Sequence, residues 1–283
     1  GAMSVGFSSG FYEPFKEIIN KNFFFNFPEN WFGNNQVELS EKESIREVEN
    51  IINKEKDNIA AVIIEPLIQG AGGMRICRKE FLNKLIKIFK DSGIIVIFDE
   101  VMTGFGRTGK MFALDHLSEK PDIICLAKSL TGGYIPLAAT IFNEEIHKEF
   151  VDSNFKKTFL HGHTFTANPV GCSAALASLN LFAKDRTFKN IKKIEDTHKK
   201  CLSMLSKSST IKKIRILGSI AAFDLDDDRF KYGSKPVEDL KKKFLNKGLL
   251  LRPIGKTIYL MPPFCIKKKL LEDCYKIIEE VIN

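Results

Sequence analysis

Two short apolar runs, each ending in a charged side chain, constrain this chain more than any other feature. Gly93-Ile94-Ile95-Val96-Ile97-Phe98 leads into Asp99-Glu100, and Asp122-Ile123-Ile124-Cys125-Leu126-Ala127 leads into Lys128. Runs this short, rich in β-branched residues and apolar on both faces predict buried strands of a parallel sheet. Ligands of such sheets bind just beyond the carboxyl ends of the strands. Asp99 and Lys128 are therefore expected to project into one crevice from neighbouring strands. Taken singly, Asp99 also fits a loop cap and Lys128 a solvated side chain. The pair at matching strand ends is what carries information.

A lysine able to form a Schiff base and an acid able to hold a protonated pyridine nitrogen are the two protein groups that pyridoxal phosphate (PLP) chemistry requires. The surrounding pattern supports a sheet that could present them. Residues 59–64 read as a strand ending at Glu65-Pro66. Lys79–Asp91 reads as an amphipathic helix with Phe81, Leu82, Leu85, Ile86 and Phe89 on one face and Gly93 just past its end. Further upstream, Ser40 followed by Glu43 has the form of a helix N-cap, with Ile45, Val48, Ile51 and Ile52 sharing the apolar face. Strand and helix then alternate, which predicts a doubly wound α/β fold.

Asn168-Pro169 opens a helix of small residues over 170–182, through Gly171, Ala174, Ala175 and Ala177. Past Lys184-Asp185 the sequence becomes more charged and helical. This places a boundary near residue 185, between a large domain (1–185) and an α+β C-terminal domain (186–283). Within the second, 216–225 and 249–261 are strand-like and 266–281 forms a closing amphipathic helix.

With 283 residues and 44% hydrophobic content, the chain can bury one large core or two. Its net charge of +8 comes overwhelmingly from lysines interleaved with acids. Base reading needs clustered arginine and stacking aromatics, so no nucleic-acid partner is expected. Six cysteines (Cys77, Cys125, Cys172, Cys201, Cys265, Cys274) are well separated. Cys125 and Cys172 lie in apolar runs and read as small core residues. This usage suits a reducing compartment. No apolar stretch has membrane-spanning length and no signal-type hydrophobic core opens the sequence, so a cytoplasmic location without a membrane partner is expected.

Gly104-Phe105-Gly106-Arg107-Thr108-Gly109 matches the spacing of a dinucleotide fingerprint. The fit fails, because residues 99–103 separate the apolar run from the first glycine and no helix begins at Arg107. His161 and His163 resemble half of a metal site, but no third ligand is spaced to complete it, so no metal is expected.

Several segments resemble the class III aminotransferases. They are Ile63-Ile64-Glu65-Pro66 with Gln69-Gly70-Ala71-Gly72-Gly73-Met74, the stretch from Phe98-Asp99-Glu100 through Gly109, and Leu126-Ala127-Lys128-Ser129-Leu130-Thr131-Gly132-Gly133. His161-Gly162-His163-Thr164-Phe165-Thr166-Ala167-Asn168-Pro169 narrows the resemblance. Arg252-Pro253-Ile254-Gly255-Lys256-Thr257-Ile258-Tyr259-Leu260-Met261-Pro262-Pro263 narrows it again. That last block is similar to the branch of the class that aminates 8-amino-7-oxononanoate with S-adenosylmethionine as donor, in biotin synthesis. The similarity covers essentially the whole chain.

The resemblance implies a PLP-dependent transferase of fold type I. Lys128 would carry the cofactor and act as the proton carrier, while Asp99 would hold the pyridine nitrogen protonated. Val101, two residues on, would share the side of Asp99 and pack on the ring. Thr164 would donate to the phosphate of a neighbouring subunit's cofactor, with His163 nearby, so that a homodimer is part of the chemistry. Arg252 would take the acceptor's carboxylate, Tyr259 would line the donor pocket, and Gly162 would let substrate approach the backbone. Glu65 and Arg107 are secondary candidates, charged residues that could instead pair with one another. Gly162, Thr164, Arg252 and Tyr259 also have ordinary readings, as a turn glycine, a turn hydroxyl, a surface ion pair and a strand aromatic.

Gly1-Ala2-Met3-Ser4 fits either a protease scar before a start or the family's own Gly-Ala-Met-Ser, and Ser4-Val5 continues the family pattern. On the second reading about the first third of the family's length is absent, with its phosphate loop and ring-stacking tyrosine, and this chain by itself is expected to be inactive. The alternatives are another class III ω-aminotransferase of ornithine, acetylornithine or GABA type, or a non-catalytic fragment that keeps the dimer surface.

Overall fold

The computed structural model describes residues 1–6, 12–183, 186–206 and 208–282. The boundary expected near residue 185 lies outside the described residues. A short helix α1 (Ala2–Val5) precedes the long α2 (Val37–Glu55). Helix α2 begins three residues before the expected cap at Ser40. The Asn34 side chain accepts from the Gln36 N–H at 2.9 Å and turns the chain upstream, which leaves Ser40 inside the first turn. Next come β1 (Ala61–Ile64), a minimal hairpin of β2 (Ile68–Gln69) and β3 (Arg75–Ile76), and α3 (Lys79–Asp91). They are followed by β4 (Ile95–Asp99), β5 (Ile123–Leu126), β6 (Ala139–Phe142), α4 (Glu144–Lys148) and α5 (Pro169–Phe182).

The two apolar runs do form neighbouring parallel strands. The sheet order is β1-β4-β5-β6, with β6 alone antiparallel. Ile64, Val96, Phe98 and Leu126 are buried on one face. Ile64, Val96 and Phe98 pack with the apolar stripes of α2 (Ile45, Val48, Ile52) and α3 (Phe81, Leu82, Leu85, Ile86, Phe89). Each of these side chains contributes about 1.5–3 kcal/mol by leaving water. Helix α5 reaches the same face through Ala175, which clusters with Leu126 and Leu130.

The expectation of strands buried on both faces is not met. On the opposite face Ile63 is exposed, while Ile95, Ile97, Ile123 and Cys125 are half-buried, because α2, α3 and α5 all pack on one side. Nor does an α-helix join β4 to β5. A turn-rich loop runs there instead, organised by Glu100. Its fully buried carboxylate accepts from the Ala113 and Leu114 N–H groups at 2.7 and 2.9 Å and from the Thr103 hydroxyl at 3.1 Å.

The C-terminal part comprises α6 (Arg186–Leu205), β7 (Ile211–Leu217), β8 (Ile220–Leu225), α7 (Lys235–Asn246), β9 (Thr257–Leu260) and α8 (Lys268–Ile282). The strands form an antiparallel sheet in the order β7-β8-β9, packed on a core that includes Leu202, Phe223, Phe244, Ile258 and Ile278. The strand-like stretch at 216–225 is thus two strands, divided at Gly218 (φ 56°). The stretch at 249–261 holds only a four-residue strand, because Pro253 removes a donor and Gly255 turns left-handed (φ 58°).

The β2–β3 hairpin packs against the antiparallel sheet through Ile68, Met74, Ile76, Ile220 and Ala222. Arg215 fastens this contact. Its buried guanidinium donates to the carbonyls of Gly73 and Met74 at 2.6 and 2.8 Å and to Asp224 at 2.8 Å. The molecule is therefore α/β with a mostly parallel sheet, followed by an α+β part. All six thiols are free, and the buried ones are Cys77 and Cys201, whereas Cys125 and Cys172 are only half-buried. Burial, aided by Glu41, pushes the Cys77 thiol up to about 12. Among the described residues no helix is long and apolar enough to cross a membrane.

Candidate active site

Three consecutive positions along the parallel sheet deliver Glu65, Asp99 and Lys128 to its carboxyl edge. Each follows or ends a strand: Glu65 after β1, Asp99 closing β4 and Lys128 two residues past β5. The Glu65 carboxyl is raised above its ordinary range, chiefly by burial. The Gly70 N–H, donating at 2.9 Å, opposes this, Asp99 adds to it and Lys128 offsets it. These mutual charge effects mark the three groups as neighbours.

Lys128 sits at φ 45°, a left-handed conformation that costs a side-chain-bearing residue of order 1 kcal/mol. A single 3₁₀ turn, Lys128–Thr131, holds it there. Ser178 of α5 donates to the Ser129 carbonyl at 2.9 Å, Leu130 and Thr131 are buried, and the Thr131 hydroxyl bonds the Ile135 carbonyl at 2.7 Å. The turn is thus anchored while the Lys128 side chain stays exposed, with no hydrogen bond or ion pair among the described residues.

Asp99 accepts the Val101 N–H on Oδ1 at 3.0 Å, and Oδ2 has no hydrogen-bond partner among the described residues. The strand-parity argument for Val101 fails, because β4 stops at Asp99 and Val101 lies in the following turn. Its backbone, not its side chain, is what the structure ties to Asp99. A residue missed by sequence reading is Cys125, the register partner of Asp99 on β5. Burial raises its thiol and the Asp99 charge raises it further. Its apolar flanks concealed that position, and only the strand register reveals it.

The possible Glu65–Arg107 pairing is absent. Arg107 instead donates to the Pro262 carbonyl at 2.8 Å and lies 4.5 Å over the Phe264 ring. Burial lowers its pKa. Its loop folds back on itself, with Gly106 N–H bonding the Met111 carbonyl at 3.0 Å, so no dinucleotide-type helix begins there.

Tyr259 is half-buried on β9 and packs against the Ile68–Met74 cluster, as does Met102 from the loop after Asp99. Arg252 is exposed, 3.4 Å from the Tyr232 hydroxyl. Gly162, His163 and Thr164 form an exposed turn, in which His163 N–H bonds Thr166 Oγ1 and Phe165 N–H bonds His163 Nδ1, both at 3.1 Å. No hydrogen bond joins this turn to Asp99 or Lys128 among the described residues. His161 stacks on Phe159, and no group of three or more metal-ligating side chains occurs among the described residues.

A cavity of about 690 Å³ lies elsewhere, between the β2–β3 hairpin and the antiparallel sheet, and includes neither Asp99 nor Lys128. Its charges are largely paired within its own walls, Glu29 with Arg75 and Lys213 at 3.1 and 2.9 Å and Arg215 with Asp224. It lies apart from the strand ends that carry Glu65, Asp99 and Lys128. There an unpaired lysine and a carboxylate with an open oxygen fit the covalent and ring-nitrogen contacts of PLP.

Residues 1–282 match the family model described as Aminotransferase class-III. An adenosylmethionine-8-amino-7-oxononanoate aminotransferase of Synechococcus elongatus is 42% identical over 283 residues, covering 100% of this chain and 66% of that relative. The protein of the same description from Methanocaldococcus jannaschii is 38% identical over 304 residues, covering 99% of this chain and 66% of its own length. The solved structure of a Methanocaldococcus jannaschii enzyme of that description superposes with a TM-score of 0.88 at 37% identity, over 100% of this chain and 64% of that one. An amine transaminase from an uncultivated Pseudomonas species, in PLP-bound form, gives a TM-score of 0.79 at 31% identity, over 87% of this chain and 57% of that one. The chain thus spans about two thirds of the length of the curated relatives it matches.

Proposed function

The chain belongs to the class III aminotransferases, and from that premise we propose that its protein transfers an amino group from S-adenosylmethionine to 8-amino-7-oxononanoate, a step of biotin synthesis, with PLP held on Lys128. The observation that carries this reading is the convergence of Glu65, Asp99 and Lys128 at adjacent parallel strand ends. When bound, PLP supplies an electron sink that makes the C–H bond beside the transferred nitrogen acidic.

The chain's own residues do the rest. Lys128 Nζ would hold the group and serve as the proton carrier beside it. Asp99 would hold the ring nitrogen protonated, and the Val101 amide fixes that carboxylate. Glu65, with its raised pKa, lies beside Asp99 and Lys128 and adjusts the charge of the crevice, while Arg107 ties the loop after Asp99 to the C-terminal part. Arg252 binds the carboxylate of the acceptor as a planar donor pair. Tyr259 lines the donor's pocket, and Gly162 leaves room for substrate beside the backbone. Thr164, with His163 beside it, serves the phosphate held by a second subunit, so the working unit is a homodimer. The exposure of that turn in the single chain supports this assignment. The six free thiols accord with a cytoplasmic location.

Borohydride reduction of the PLP-loaded full-length protein tests the site. The label is expected on the Lys128 peptide, and a label on another lysine would remove the basis of the assignment. Donor competition tests the substrate. S-adenosylmethionine is expected to outrun ornithine, acetylornithine and GABA, and the reverse order would transfer the protein to another branch of the class.

A further inference from the structure

Arg107 is gripped at both ends by the C-terminal part of the chain. Its guanidinium bonds the Pro262 carbonyl and covers Phe264. Its backbone carbonyl accepts twice from Ser219 in the β7–β8 turn, from the N–H at 2.9 Å and from Oγ at 3.2 Å. The turn can enter so deeply because its other residue is Gly218. A Cβ there would overlap the backbone of Thr108 and Gly109 and approach the Arg107 carbonyl oxygen to 2.6 Å.

Ser219 is itself held from behind. Its carbonyl accepts from His198 Nε2 at 3.2 Å, and His198 Nδ1 accepts from the Tyr275 hydroxyl at 2.7 Å. The arrangement selects one tautomer. A carbonyl only accepts, so Nε2 carries the hydrogen and Nδ1 is bare. His198 and Ser219 are fully buried and Tyr275 nearly so. They come from α6, the β7–β8 turn and α8 respectively.

A buried histidine with two partners could simply stabilise the C-terminal core. Ser219 distinguishes this case, because it passes the constraint out of that core to a loop of the parallel-sheet part, 112 residues away in sequence. That loop begins at Asp99. We propose that His198 is a positioning residue which, with Tyr275 behind it and Ser219 in front, sets the backbone at Arg107 and thereby the loop leaving the PLP-binding strand end. The function assigned to this device rests on the reading of Asp99 and Lys128 as the PLP site.

The test uses the full-length, PLP-loaded protein and two substitutions. His198→Gln retains one donor and one acceptor on its amide, whereas His198→Leu fills the space and loses both bonds. Amide hydrogen exchange is followed at Ser219, Gly106 and Gly109, beside urea-derived global stability. The leucine variant is expected to speed exchange at these amides about tenfold more than its loss of global stability accounts for. The glutamine variant is expected to remain close to wild type, and KM for the keto acid is expected to rise in the leucine variant only.

Unchanged exchange in the leucine variant would overturn the proposal, as would a rise no larger than the global loss. Should the leucine variant fail to fold, Tyr275→Phe removes only the hydroxyl behind the ring, and no change at the same three amides would be equally fatal. Failure of the PLP reading shows separately, as absence of a borohydride label on Lys128 in wild type, whatever the exchange rates do.

Discussion

The Val101 N–H donates to Asp99 Oδ1 at 3.0 Å, so the turn after β4 holds one carboxylate oxygen and presents the other. Asp99→Asn keeps an acceptor for Val101 and removes only the charge. Activity of the full-length enzyme is expected to fall about 100-fold or more, since a fixed charge facing a developing one contributes on that scale. Borohydride-fixed PLP on Lys128 should change little. An equal loss of label and activity would mean that Asp99 retains the cofactor and does not tune it.

Gly218 supplies a second prediction. Both Gly218 and Gly233 have positive φ (56° and 74°), but only Gly218 is packed against backbone; nothing lies within 4 Å of a Cβ on Gly233. Gly233→Ala should cost about 1 kcal/mol, the left-handed penalty alone. Gly218→Ala should cost at least about 3 kcal/mol, because overlap with backbone cannot relax by a rotamer change. Urea denaturation of both variants measures the difference.

The buried Arg215–Asp224 pair should be far more sensitive than its exposed counterpart at Arg229 and Asp227. Asp224 Oδ1 accepts from Arg215 at 2.8 Å and from the Thr257 hydroxyl at 2.9 Å. Asp224→Ala leaves a guanidinium buried without its anion, at a cost of about 3–5 kcal/mol. Asp227→Ala, in an exposed pair, should shift the denaturation midpoint negligibly.

His198 gives the fold an acid-sensitive component. Burial lowers its pKa from 6.5 to about 4. The unfolded chain therefore binds the proton first as pH falls, and stability is lost between about 6.5 and 4. The loss levels off below that, at about 3 kcal/mol. The raised carboxyls Glu65 and Glu100 act in the opposite sense, so the informative quantity is wild type minus His198→Gln. That difference in unfolding free energy should shrink on acidification from pH 7 to pH 4. A constant difference would show that folding leaves the His198 pKa where it is in the unfolded chain.

Periodicity carried the sequence reading where one helix face or one strand end decides the outcome. Helix α3 runs over the expected residues, with Phe81, Leu82, Leu85, Ile86 and Phe89 all buried, because a 3.6-residue repeat leaves little freedom. Asp99 and Lys128 were legible for a similar reason, since apolar runs mark where a parallel strand must end. Features set by distant partners were not legible. The Arg107 side chain bonds a carbonyl 155 residues away, and nothing adjacent in sequence marks Arg215 and Asp224 as a buried pair under the hairpin. Val101 was misread because parity applies only inside a strand, and the division at Gly218 because the apolar pairs Ile216-Leu217 and Ile220-Ala221 flank the Gly218-Ser219 turn.

Arg215 also dictates when parts of the molecule can take shape. Its bonds to Gly73 and Met74 span 142 and 141 residues. The β2–β3 hairpin has only two paired positions, too few to persist in water unaided. During synthesis, α2, β1, α3 and β4 can assemble from near neighbours while the hairpin waits for Arg215 to leave the ribosome. The nascent chain thus carries the Gly70–Gly73 loop beside Glu65 in an unfinished form until nearly all of β7 has emerged, and a stall before that point leaves a protease an open site in that loop.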